Sequence, residues 1–179
     1  MLNEELIQLA LNSGAAKATV IRTQDIVMSA SFRDICKSNG CGLYGKCWVC
    51  PPDIGPIEEL MEKVHGFEYG LLYQTVGEIE DSYDIEGMGE VGAQHEKNSI
   101  KLDRAVKDVL GNHLHLSCGG CHLCERCAKP LPCRHPDRAL PSLEGYGVDV
   151  YNTTKDTPLA YINGTNTVTY FGAMLFMEE

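Results

Sequence analysis

Apolar positions recur every three or four residues near the start of the chain, at Leu2, Leu6, Leu9 and Ala10. This spacing predicts an amphipathic helix over residues 3–13, with Asn3 placed to cap it and Gly14 to end it. A short strand is expected over 18–22, while 25–32 follow no single period. From 56 to 65 the helix signals agree. Pro56 opens the segment, Glu58 and Glu59 lie in its first turn, Lys63 and His65 in its last, and Gly66 follows. Ile57, Leu60, Met61 and Val64 form its apolar stripe. Residues 69–76 are a short apolar run suited to a central strand.

The acidic stretch 78–90 reads as a solvated loop. It runs into Gly87-Met-Gly89-Glu-Val-Gly92, a formal match to the dinucleotide fingerprint. That fingerprint needs a strand immediately before it, whereas Asp81, Asp84 and Glu86 stand there and would repel a pyrophosphate. A hinge is the better reading. A long helix is expected over 93–110, with Ile100, Ala105, Val106 and Val109 inward and Asp103 paired with Lys107. Residues 113–116 read as a strand. Asn163-Gly164 suits a type I′ turn, which predicts a hairpin from 158 onward. Its last strand runs to about Met177, with Phe171, Ala173, Leu175 and Met177 on one face. The pattern predicts an α+β or α/β fold. One domain spans 1–179, with a mixed sheet covered by helices and a C-terminal β-hairpin.

Composition changes this picture in one respect. The chain has 179 residues and nine cysteines, all of them in two glycine- and proline-rich loops at 36–52 and 118–136. In the second loop Cys118, Cys121, Cys124 and Cys127 follow one another at gaps of two residues, with Cys133 shortly after. The spacing C-x2-C-x2-C resembles the first three ligands of a bacterial ferredoxin cluster, whereas zinc ribbons use two separated C-x2-C pairs. Cys121, Cys124, Cys127 and Cys133 are therefore read as ligands of an iron–sulfur cluster, [4Fe–4S] in type, with zinc the alternative. The first loop offers Cys36, Cys41, Cys47 and Cys50, the last fixed toward an extended backbone by Pro51 and Pro52. One cluster or two remain open.

The net charge of −10 excludes a general nucleic-acid binder, which needs a basic face. No apolar run reaches the length of a membrane span, and the N-terminus carries acid where a signal peptide carries base. A cytoplasmic location is expected, and there cysteines serve metals or redox chemistry before disulfides. Arg126, Lys129, Arg134 and Arg138 surround the second loop, and cations stabilise the negative charge of a thiolate-bound centre. Arg134 is the best placed of them. Tyr44 and Trp48 are expected to pack over the first loop and shield its metal. Glu144 and Asp149 are acid–base candidates beside the second loop, with Ser142 a helix cap.

The motif Cys41-Gly-Leu-Tyr44-Gly45-Lys-Cys47-Trp48-Val-Cys50-Pro51-Pro52, followed by Cys121-x2-Cys124-x2-Cys127, Pro132-Cys133-Arg134-x-Pro136 and Pro141-Ser142-Leu-Glu144-Gly-Tyr-Gly147-Val-Asp149, resembles a known family. It is the predicted metal-binding family called domain of unknown function 2284, and the resemblance spans about 30–150. It implies metal binding through Cys36, Cys41, Cys50, Cys121, Cys124, Cys127 and Cys133. Cys47 and Cys118 look like additions to the family pattern. Three functions are in view. The first is an iron–sulfur electron carrier or redox partner subunit, docking on a redox partner protein. The second is an enzyme whose open iron acts as a Lewis acid on a small-molecule substrate. The third is a zinc-stabilised interaction protein.

Overall fold

A computed structural model describes residues 1–178. Two long strands form its centre. β2 (Tyr69–Glu78) and β4 (Thr167–Phe176) run antiparallel in register from Tyr69 opposite Phe176 to Glu78 opposite Thr167. β1 (Lys17–Arg22) pairs with the free edge of β2, and the short β3 (His113–Leu116) with that of β4, giving the order β1-β2-β4-β3.

Helices cover both faces, so the central strands are buried on both sides and read as apolar runs. On one face, α1 (Leu2–Asn12) and α4 (Ile85–Val106) pack Leu6, Ala10, Leu102 and Val106 against Leu71, Tyr73, Met174 and Phe176. On the other, α3 (Ile57–His65) brings Leu60 and Val64 onto Leu72, Phe171, Ala173 and Leu175. Leu143, Tyr146 and Val148, around a 3-10 turn over Glu144–Tyr146, complete that second core. Each fully buried leucine here contributes about 2 kcal/mol. Two short helices, α2 (Phe32–Lys37) and α5 (Val150–Thr154), lie at the periphery. Neither core draws a residue from 36–53 or 117–142.

The fold is α+β, with the sheet antiparallel throughout instead of mixed. The expected C-terminal hairpin does not form. Residues 158–166 carry no strand, and both partners of β4 come from earlier in the chain. Asn163 instead ties the turn to itself, its amide donating to the Ala160 carbonyl and to Thr169 Oγ1. The helix expected from 93 begins at Ile85, because Asp84 caps it by accepting from the Gly87 amide at 2.9 Å. The glycine cluster at 87–92 is thus helical and not a hinge. Its inward stripe is largely polar, with His95, Asn98 and Ser99 buried ahead of Leu102 and Val106. Among the described residues no helix is long and apolar enough to cross a membrane.

Candidate metal centre

The two cysteine loops lie outside both cores and lack helix or strand over 38–56 and 117–143. Loops this long without regular structure are uncommon in a compact domain unless they carry function. Local devices hold each one. In the first, Asn39, Gly42 and Gly45 adopt positive φ, and the Gly45 amide donates to the Pro51 carbonyl across the turn. In the second, the Ser117 amide donates to Pro141 and the Leu143 amide donates to Ser117, pinning the ends of 118–141 together.

The loops also hold each other. Trp48 Nε1 donates to the Leu131 carbonyl at 2.8 Å, and Lys129 Nζ donates to the Gly45 carbonyl at 2.7 Å. Lys129 pairs with Asp53 and lies 5.5 Å over the Trp48 ring. Gly120 has no Cβ because the Leu43 side chain fills that space.

At this junction the structure brings together thiols from both loops. Cys47 and Cys50, both buried, meet Cys121, and the three compete for protons. The neighbouring Cys121 and Cys50 thiols hold Cys47 far below the ordinary thiol range. The same sharing and burial push Cys50 and Cys121 above it. Cys124, Cys127 and Cys133 line the same small cavity of about 20 Å³ beside Cys47 and Cys121. That is room for one water-sized group. Among the described residues, no three His, Cys, Asp or Glu side chains stand close enough to hold one ion without moving inward. All nine cysteines are free.

The other expected residues are dispersed. Cys36 lies in the last turn of α2, on the side of Arg33, Cys41 and Glu144. Burial raises its thiol while the Arg33 charge opposes the rise. Cys41 is exposed. The Tyr44 backbone amide donates to Asn39 Oδ1 at 3.0 Å. Trp48 bridges the loops. Arg134 lines the small cavity from an exposed position and donates to the Arg126 carbonyl. Asp149 caps α5 through the Asn152 amide. Ser142 Oγ accepts from the Gly145 amide. Arg33, which the sequence did not single out, is a buried cation donating to the Gly55 carbonyl at 2.8 Å.

A larger cavity of about 400 Å³ adjoins the centre, and Cys121 lines both. It lies between α4 and the 117–122 segment. Cys118 faces it, its thiol pushed up to about 12 by burial and then by the Glu144 charge. Beneath it runs a hydrogen-bond chain that the sequence did not reveal. Tyr73 Oη lies 2.7 Å from Ser99 Oγ and 2.6 Å from His115 Nε2, and His115 Nδ1 lies 3.1 Å from Asp103. Burial favours the neutral His115 ring, so its contact with Asp103 is a hydrogen bond more than an ion pair. Asp103 thus serves β3, where Lys107 was the expected partner. Burial opposes its charge, but His113 and His115 outweigh that and hold its carboxyl well below the usual range.

Burial also holds His95 down at about 4. Between about pH 6.5 and 4 the unfolded chain therefore binds a proton that the folded chain refuses, and stability falls as pH falls. The expected loss across that window is up to about 3 kcal/mol. Urea unfolding at stepped pH checks this. His95→Gln should flatten the slope, and an unchanged slope would assign the acid sensitivity elsewhere.

The chemistry defines a class first: an α+β protein presenting a thiolate-rich site at the junction of two irregular loops. The family described as Predicted metal-binding protein (DUF2284) matches residues 19–176, and the chain belongs to it. No curated protein and no solved structure matches the chain.

Proposed function

We propose that the protein holds one thiolate-ligated metal centre shared between its two loops, and that the centre is an iron–sulfur cluster used in electron transfer with a redox partner protein. The convergence of Cys47 and Cys50 with Cys121 carries the single-centre reading. Cys124, Cys127 and Cys133 supply the remaining thiols of the junction. Soft sulfur donors suit iron–sulfur clusters and zinc alike, and the C-x2-C-x2-C spacing favours the cluster. When bound, such a cluster supplies one-electron redox chemistry. The chain's own part is to hold the thiolates, to place the Arg134 charge beside them, and to join the two loops through Trp48 and Lys129.

Two observations favour second readings. The thiols that line one small cavity are donors zinc also takes, and the cavity that shares Cys121 suits an enzyme with a small substrate. Protein purified without oxygen is expected to contain iron and acid-labile sulfide and to be reversibly reducible. Stoichiometric zinc without sulfide would overturn the cluster and promote the structural role. A cluster whose spectrum responds to small added ligands would favour the enzyme.

A further inference from the structure

The loops 36–53 and 117–142 hold six of the chain's 15 lysines and arginines but only three of its 25 carboxylates. A chain of net charge −10 thus gathers positive charge around its thiols. Lys129 is taken up by Asp53. Lys46, Arg126 and Arg134 are exposed and, among the described residues, make no ion pair. Arg134 Nη1 donates to the Arg126 carbonyl at 3.1 Å, which holds these two positions together. Lys46 follows Gly45, whose carbonyl Lys129 holds, and so joins the same rim. Against them stand the exposed Glu125 and Asp137.

Between Arg126 and Arg134 in the chain, Leu131 stands 68% exposed. Its backbone is nevertheless held on both sides. The amide donates to the Ala128 carbonyl at 2.9 Å, and the carbonyl accepts from Trp48 Nε1. Pro130 and Pro132 restrict the chain before and after it. An apolar side chain on an ordered backbone loses little further freedom when another protein covers it. The turn lies between Cys127 and Cys133, which line the small thiol cavity. A partner seated on it is one turn of chain from the centre.

We infer that this rim is the docking surface for an acidic electron-transfer protein. Leu131 is its apolar contact, and Lys46, Arg126 and Arg134 oppose the partner's carboxylates. The inference rests on the electron-transfer reading of the centre. Opposite charge speeds the encounter and fixes its orientation, while the acidic remainder of the chain repels the same partner elsewhere. Electron-transfer encounters use small interfaces, so one leucine and three cations suffice.

The probe is oxidised plant-type ferredoxin, a small acidic iron–sulfur protein. Calorimetric titration into the full chain, as isolated with its metal, should give one-to-one binding at about 10 mM salt that weakens about tenfold by about 150 mM. Lys46→Glu and Leu131→Ser should each weaken binding about fivefold or more without loss of metal. Lys17→Glu makes the same charge change on β1, at the sheet edge opposite β3, and should leave binding unaltered. Absence of binding at low salt would overturn the proposal. So would full affinity in both rim variants, an equal loss in Lys17→Glu, or equal binding by a single-stranded DNA oligonucleotide. Dithionite tests the electron-transfer reading separately. A centre that it reduces, in a chain that ferredoxin does not bind, defeats the docking surface and leaves the carrier. Ferredoxin bound to a chain whose centre dithionite cannot reduce defeats the carrier and keeps the surface for acidic partners.

Discussion

Replacing Cys47 with alanine is expected to remove most of the bound metal. The sequence pattern set this residue aside as an addition to the family's cysteines. In the fold it is 3% exposed and faces thiols of both loops, Cys50 from its own and Cys121 from the other. Removing it takes away the thiolate on which the loops converge. Cys121→Ser should act as severely, whereas Cys118→Ser should leave metal content unchanged, because Cys118 faces the larger cavity. Metal and sulfide analysis of these variants, purified without oxygen side by side with Cys36→Ser and Cys41→Ser, reads the result. Cys47→Ala retaining full metal, with Cys36→Ser or Cys41→Ser losing it, would shift the centre toward α2 and defeat the shared-junction reading. The family-matched pair Cys36 and Cys41 would then be the true anchor.

Gly172→Ala should cost about 3 kcal/mol. A Cβ at this position on β4 would stand 2.2 Å from Tyr73 Cζ and 2.3 Å from its oxygen. The ring cannot simply swing away. It is 1% exposed, and its hydroxyl is held between Ser99 and His115. Relief of the clash therefore opens the hydrogen-bond chain that reaches Asp103. Urea unfolding should show a lower midpoint, and the His115 ring proton signals should shift. Gly89→Ala is the counterpart, since nothing obstructs a Cβ there and alanine favours the helix. Equal stability of the two variants would show that Tyr73 repacks freely.

Local signals made much of the scaffold legible. Proline, charge placement and glycine marked α3 to within a residue, and the apolar runs of β2 and β3 fell where the strands lie. What failed depended on partners distant in sequence. The start of α4 looked like an acidic loop because Asp84 signals a turn as readily as a cap. Asn163-Gly164 does turn the chain, but β2 and β3 had already taken both sides of β4. Asp103 and Lys107 have helical spacing for an ion pair, yet two histidines of β3, His113 and His115, claim the carboxylate. The cysteines announced a metal through number and spacing. Which of them meet depends on how Trp48 and Lys129 join the loops, and no spacing rule records that. His95 and Ser99 went unnoticed because a polar stripe on a helix ordinarily faces water.

Because both hydrophobic cores close without a residue from 36–53 or 117–142, the protein can be finished in two stages. The sheet and its helices pack through apolar contacts and buried hydrogen bonds that lie outside the cysteine loops, leaving two tethered arms beside one another. Loading the thiols is then a separate act of maturation, performed on a folded body. In this it differs from a zinc finger, whose chain collapses only around its ion. An apo form is then expected to keep its sheet and both cores, since neither depends on the loops.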